Sequence, residues 1–460
     1  MSVPVGSRSP GRILAFAFAI AVSTAIVADA HDGPDDHHAP IKVADAETYR
    51  ASAVPDRIVL TWESDPQTTM SVTWRTSCDV TRPVAQIAIA EAGPKFEKSA
   101  TSFNAVTERL ETDLGPAHYH SLTFRGLKPA VKYAYRVGDG VNWSEWNQFT
   151  TASDRPESFS FIYFGDAQND IKSHWSRVVR EAYRDAPRAA FMLHAGDLID
   201  HAESDAEWGE WFYAASHLHR MIPCVPTPGN HEYFTEKAIA GIPVESRLTR
   251  HWRRLFTLPQ NGPKGLEETV YWFDYQDLRI ISLNSNTEFL PQAGWLDRLL
   301  ADNPRKWTII TFHHPLYSSK EGRDNPLLRA AWQPVIDRHR VDLVLQGHDH
   351  SYARSGLMTQ NVATGATTRS KEGTVYVVSV SGPKQYDIGR RPFMHRAAED
   401  TQLYQIITVD GDELRYEART AIGEKYDGFT LKKRKKGEPN ELIEQIPTTP
   451  ERLRTPIEAK

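Results

Sequence analysis

Hydrophobic and polar positions change rhythm along this chain, and each rhythm predicts a different kind of element. From Pro55 to about Thr151, short apolar runs alternate with polar residues in RIVLTWES, MSVTWRT, AQIAIAEA, YHSLTFRGL, VKYAYRVGD and WNQFTTA. A period of two sends successive side chains to opposite faces, so these segments predict six or seven strands at the spacing of a β-sandwich. From residue 159 to 352 the apolar runs become continuous and rich in β-branched or aromatic residues, as in FSFIYF, AAFMLH, IPCVP, WTIITF and VDLVLQ. Strands buried on both faces read this way. Between the first runs, Trp175, Val178, Val179 and Ala182 recur at helical spacing, and so do Trp208, Trp211, Phe212, Ala215 and Leu218. They predict helices that cover the sheet. Residues 235 to 270 predict a long excursion with a short helix around His251 to Phe256. YWFDYQDLRIISLNSN then predicts a hairpin turning at Gln276-Asp277, Gln292 to Ala301 a helix, TVYVVSVSGP a strand, and QLYQIITVDGDELRYEART a hairpin turning at Asp410-Gly411.

Each of the five buried runs stops at a polar motif: GDAQ, GDLID, GNHE, HHP and GHDH. Together they offer Asp166, Gln168, Asp197, Asp200, Asn230, His231, His313, His314, His348, Asp349 and His350. One GD after a strand is an ordinary turn, but five such motifs on successive strand ends read as one site, because layered α/β folds gather ligands at the carboxyl ends of their strands. Carboxylate, amide oxygen and imidazole without any Cys suit Fe, Mn, Zn or Co, and disfavour both a thiolate zinc site and an all-oxygen calcium site.

Composition narrows the alternatives. The 460 residues are 40% hydrophobic and 25% charged, an ordinary globular balance with room for two or three domains, and a net charge of −5 argues against a nucleic-acid partner. Residues 1–30 predict a signal peptide: Arg8 and Arg12 precede an apolar run from Ile13 to Ala28, and Ala28-Asp29-Ala30 is an acceptable cleavage site. The run is short for a membrane span, so the expectation is a secreted or periplasmic protein with no transmembrane span in its mature chain. Residues 31–54, rich in His, Asp and Pro, predict a disordered leader, and residues 152–158 a polar hinge. Residues 432–460, opening on KKRKK, predict a basic, disordered tail able to touch an anionic surface weakly. Cys78 and Cys224 are the only cysteines; one falls in the predicted sandwich and the other in a motif strand, which predicts two buried, unpaired thiols. Neither a catalytic Cys arrangement nor a Gly-x-Ser-x-Gly elbow occurs.

The ordered set GD, GD, GNHE, H-x-P and GHxH resembles that of the calcineurin-like metallophosphoesterases. FHHPLYSS and GHDHSYARS are similar to the corresponding segments of the purple acid phosphatases. LTFRGLKPAVKYAYRVGDG and TWESDPQTTMSVTW resemble the fibronectin type III-like amino-terminal domain of that family, so the likeness covers roughly residues 55 to 430. It implies a two-domain fold. An all-β sandwich over 55–152 would precede an α/β metallophosphoesterase domain over 158–431, built as two mixed sheets sandwiched and flanked by helices.

The resemblance also implies a ligand set. One metal ion would be held by Asp166, Asp197 and His350, the other by Asp197, Asn230, His313 and His348, with Asp197 bridging. Two such ions, Fe, Zn or Mn, would lie about 3.5–4 Å apart and share a hydroxide able to attack phosphorus in line. His231, next to Asn230, falls at the rim as proton donor or phosphate contact, or as a residue fixing a ligand. His314, Lys320 and Arg323 are further candidate substrate contacts.

Two positions depart from the family pattern. Asp200 stands where the purple enzymes carry a Tyr ligand three residues after their Asp, so no tyrosinate colour is expected. Gln168 stands where many relatives outside the purple group carry a His ligand; it either coordinates through its amide oxygen or hydrogen-bonds a water on the metal. The reading that follows is an exported phosphoesterase acting on a phosphate-ester small molecule, a monoester first. A phosphodiesterase acting on nucleotides or phospholipid headgroups is the alternative. A surface-binding protein with a vestigial metal site is a more distant one. Tyr352 and Tyr386 are placed to reach either the cleft or the core.

Overall fold

The computed structural model describes residues 42–454 apart from 236–245, 361–366 and 436–437. The signal segment 1–30 and most of the leader lie outside the described residues, as do residues 236–245 at the start of the 235–270 excursion. Among the described residues no helix is long and apolar enough to cross a membrane.

The amino-terminal part is a sandwich of two four-stranded sheets. One runs in the order Asp56–Thr61, Thr69–Thr76, Gly115–Arg125, Val106–Thr112, the other Thr101–Asn104, Val84–Ile89, Lys132–Gly138, Asn147–Thr150. Buried Val72, Trp74, Phe124, Tyr135 and Phe149 fill the space between them. Thr101–Asn104 and Val106–Thr112 are strands beyond the six segments read from the sequence. Nearly all their side chains are exposed, so burial imposes no apolar alternation on them.

The larger part is built on two mixed sheets. In the first, Phe159–Phe164, Met192–His194 and Cys224–Pro226 run parallel, and the antiparallel ribbon Leu403–Asp410, Glu413–Thr420, Lys425–Lys432 continues from Phe159–Phe164. In the second, Leu278–Ser282, Trp307–Thr311, Leu343–Gln346 and Thr374–Val378 run parallel, with Tyr271–Tyr275 at one edge and Tyr352–Gln360 beyond the other end. The Tyr163 hydroxyl donates to the Gln346 carbonyl, and Asp166 bridges to Val380, so the carboxyl ends of the two sheets meet. Parallel register brings the loops that follow these strands out at one edge. The hairpin at Gln276-Asp277 forms as expected; the later one turns on Gly411-Asp412, one residue further along, because Asp410 pairs with Glu413.

The helices sit where periodicity placed them, at Ser176–Asp185, Asp205–Ala215, Trp252–Leu255 and Phe289–Ala301, and Pro326–Arg338 adds one more. A buried interface joins the two parts. Arg57 and Arg75 of the sandwich both pair with Asp205, at 2.7 and 3.0 Å, and Trp62 packs on Phe191 and Phe273. Burial pushes the Asp205 carboxyl up, but the His251 hydrogen bond and the two guanidinium charges outweigh it and hold it well below the ordinary carboxylate range.

Three expectations need correction. The leader is ordered over its last residues: a helical turn at Asp45–Thr48 leads to Tyr49, whose carbonyl accepts from Arg75 and whose ring covers Gly209. The tail is ordered over much of its length, because Glu441–Glu444 pairs with Lys425–Lys432 and the Glu444 carboxylate reaches buried Arg354. Its cations are largely committed, Lys432 to Glu413, Lys433 to Asp342 and Arg434 to Glu441. Cys78 and Cys224 are unpaired, but only Cys224 is fully buried. Tyr352 belongs to the core, donating to Asp427 at 2.7 Å.

Candidate metal centre

The residues at the five strand ends converge. Single ligand atoms from Asp197, His313 and His348 lie within 4.8 Å of one another, and so do atoms from Asp166, Asp197 and His350, which makes Asp197 common to both groups. The Asn230 amide oxygen is 3.1 Å from His313 Nε2 and 3.0 Å from His348 Nδ1. His313 Nε2 is also 3.0 Å from the Asp197 carboxylate, and His350 Nε2 is 3.3 Å from that of Asp166.

Hydrogen bonds behind the rings decide which nitrogen faces inward. His313 Nδ1 donates to the Ala195 carbonyl at 2.9 Å and His350 Nδ1 to the Lys384 carbonyl at 3.1 Å. In each ring Nε2 is thereby aimed at the centre. His348 is reversed, with Nδ1 inward and Nε2 2.6 Å from the Arg323 guanidinium.

The backbone is bent to make this convergence possible. Asp197, His348 and His350 all have left-handed φ angles, 53°, 76° and 44°, at a cost of about 1–3 kcal/mol each. Glu232 holds the first bend: its buried carboxylate accepts the backbone N–H of Asp197 at 2.9 Å, Leu198 at 2.8 Å and Gly229 at 2.6 Å. Asp166 holds the next by accepting the His348 N–H at 2.7 Å. Gly229 and Gly347 are required by contact, since a Cβ on either would stand 2.1 Å from the carboxylate of Asp197 or Asp166.

The donor set fits a pair of cations. Asp166 and Asp197 are both buried, and burial raises the carboxyl of each; for Asp197 the His313 and His231 contacts outweigh this and keep it ionised, whereas Asp166 remains pushed up. Burial works against the His313 charge, but the two carboxylates outweigh it and raise its pKa. One imidazolium for two buried carboxylates leaves the cavity short of positive charge. The Asp166 Oδ2 and Gln168 Oε1 atoms are buried without a hydrogen-bond partner, and the Gln168 amide nitrogen is 2.8 Å from His350 Nε2.

Around this cluster the other candidates take distinct places. The His231 N–H donates to Asp197 at 2.9 Å and its Nδ1 to the Asp200 carbonyl at 2.5 Å, which turns Nε2 inward to 4.0 Å from Asp197. The Asp200 carboxylate lies 3.3 Å from the same ring and outside both convergent groups. His314 donates from its backbone to Ser285, and its ring lies 4.3 Å from that of His348. Lys320 and Arg323 flank Tyr386, whose ring is 4.8 Å from His350. Asp349 points away: its carboxylate accepts from Ser318 and Ser319 and ties down the loop after His313.

Glu232 and Asn286 went unassigned in the sequence. Glu232 had a signal in the Gly-x-x-Glu spacing of a capping box, hidden inside a motif read for its ligands. Asn286, which donates to the Pro228 and Gly229 carbonyls, had none, for it lies far along the chain from the loop it supports.

Comparison with known proteins follows the same division. Residues 55–151 match the family described as purple acid phosphatase, N-terminal domain, and residues 159–352 match calcineurin-like phosphoesterase. Acid phosphatase type 7 of Homo sapiens is 26% identical over 334 residues, 66% of this chain and 71% of its own length. The purple acid phosphatase of Glycine max is 24% identical over 283 residues, and the chain spans 59% of its length. A solved purple acid phosphatase from yellow lupin seeds shares the fold at a TM-score of 0.67 and 20% identity, covering 83% of this chain and 74% of its own. PhoD shares it at 0.64 and 14%, over 86% and 93%.

Proposed function

Because the chain belongs to the calcineurin-like metallophosphoesterases, in the branch that carries a purple acid phosphatase amino-terminal domain, we propose that it is an exported enzyme hydrolysing phosphate monoesters at a dinuclear centre. The observation that carries this reading is the convergence of two ligand groups on Asp197. We assign Asp166, Asp197 and His350, with Gln168 beside them, to one ion, and Asp197, Asn230, His313 and His348 to the other, the ions being Fe, Zn or Mn. When bound, they supply positive charge to the phosphoryl oxygens and make a water acidic enough to act as nucleophile near neutral pH.

The protein's own groups do the rest. His231 presents Nε2 toward the centre while Nδ1 is held by the Asp200 carbonyl, so in its imidazolium form it can hand a proton to the departing oxygen. Arg323, Lys320 and His314 ring the opening and orient the phosphate. Asp200 serves His231 in place of a tyrosinate ligand, so the loaded protein is colourless in the visible. Export rests on the charged and apolar pattern of the first thirty residues.

Metal analysis of the mature protein, with rates on an aryl phosphate monoester and a matched diester, tests the reading. Two ions per chain with monoester preference is the expected result. Diester preference would make the enzyme a phosphodiesterase, and neither metal nor turnover would overturn the proposal.

A further inference from the structure

Beside the metal centre lies a cleft of about 400 Å³ whose chemistry differs from that of the ligand cluster. His314 is a wall of this cleft, and its ring is packed against that of the ligand His348, so the cleft opens onto the place where a phosphoryl group would sit. Phe289, Pro326, Leu327 and Leu328 form its far side. Leu327 is 78% exposed at the start of the Pro326–Arg338 helix, although Leu328 next to it is buried in the core. Phe289 is braced from behind, its ring edge-on to Trp332 and its carbonyl accepting the Trp332 indole N–H at 2.9 Å.

Charge is almost excluded from these walls. Asp324 is the only Asp, Glu, Lys or Arg among the lining residues, and its carboxylate is taken by Arg391 in a two-pronged pair at 2.8 and 2.7 Å. The His314 ring is held against one wall, its Nδ1 2.9 Å from the Ser285 hydroxyl. The cations of the rim, Lys320 and Arg323, face Tyr386 and His348, Arg323 being paired with Asp349 as well, and do not line this cleft. A leaving group bearing a second phosphate or a carboxylate would therefore find no Lys or Arg among the lining residues and a carboxylate whose own cation is already engaged. An apolar alcohol would find Phe289 and Leu327.

We infer that this cleft is a leaving-group subsite that selects phosphate esters of apolar alcohols, aliphatic or aromatic, over esters of anionic ones. The inference rests on the phosphoesterase reading, so its test separates binding from turnover. Straight-chain alkylphosphonates from methyl to hexyl place a constant head on the metal centre and a growing tail in the cleft, and their carbon–phosphorus bond resists hydrolysis. Titrated calorimetrically into the metal-loaded full chain, they should bind about fourfold more tightly per added methylene until the cleft is full.

Leu327→Asp should flatten that dependence. Leu290→Asp, at a residue 74% exposed but outside the cleft, should keep it. Affinity independent of chain length in the unaltered protein, or a slope that survives Leu327→Asp, overturns the subsite, and an enzyme still active on an aryl phosphate would then leave the phosphatase reading standing. A slope without turnover of any phosphate ester supports the cleft and overturns the reaction. No binding of any phosphonate overturns both.

Discussion

His313, His348 and His350 each turn a ring nitrogen toward a carboxylate, an amide oxygen or one another, whereas His194 and His219 lie in the same domain with both ring nitrogens unpartnered. His219 stacks on Trp211 at 4.0 Å, and His194 packs against Trp175 and Trp211 at 5.9 and 5.5 Å. Burial disfavours the imidazolium in both places. It lowers His194 to about 3 and His219 well below the ordinary range, while at His313 the Asp197 and Asp166 carboxylates reverse the sign. At His348 and His350 burial still lowers the ring, so the polar partners within reach of each nitrogen, and not its charge, set the two groups of histidines apart.

Removing the shared neighbour should erase the difference. Asp197→Ala takes one ligand from each convergent group, and hydrolysis should fall by at least about a thousandfold with loss of bound metal, read as turnover and metal per chain. Unchanged metal content would show that the cluster does not depend on Asp197. His231→Gln keeps every convergent side chain and removes the protonatable ring together with its Nδ1 bond to the Asp200 carbonyl. Turnover should drop roughly a hundredfold at full metal occupancy, and equal loss of metal would make His231 a ligand support instead.

Glu232→Gln replaces an acceptor of three backbone N–H groups by an amide that must turn a donor toward one of them. Metal affinity should weaken by about 10- to 100-fold, measured by competition with a chelator. The smallest effect belongs to the aromatic cluster. In the unfolded chain His219 titrates near 6.5 and in the fold well below it, so its contribution is complete above about pH 6.5 and is lost as pH falls from there. His219→Leu should flatten this loss by up to about 1.4 kcal/mol per pH unit between pH 6 and 5, seen in denaturant melts. A parallel decline in both proteins would place the acid sensitivity elsewhere.

The convergent set was legible because each member ends a buried strand, where local pattern and chemistry coincide in a few residues. Asp166, Asp197, Asn230, His313, His348 and His350 all converge for that reason. Elements held by distant partners were not. Glu441–Glu444 reads as polar tail because its order comes from backbone pairing with Lys425–Lys432 and from Arg354, 90 residues away. Val106–Thr112 shows no alternation because, Leu110 apart, the side chains of both its faces lie at or near the surface. The cleft beside His314 is assembled from the Phe289 and Leu327 helix starts, and no local motif announces that they meet.

Asp205 has a consequence for how the molecule can be divided. It opens the helix that follows the loop of Asp197 and Asp200, and the charges it buries against come from Arg57 and Arg75 of the sandwich. A catalytic half cut free near residue 158 would keep the His251–Asp205 contact but lose both guanidinium partners and bare the apolar surface of Phe191 and Phe273 that Trp62 covers, beside the bent segment that carries Asp197. The sandwich is thus a foundation stone of the reactive half, and one cannot be grafted or trimmed without the other. Melting should proceed as a single cooperative event, and a donor sandwich could serve as replacement only if it brought both arginines with it.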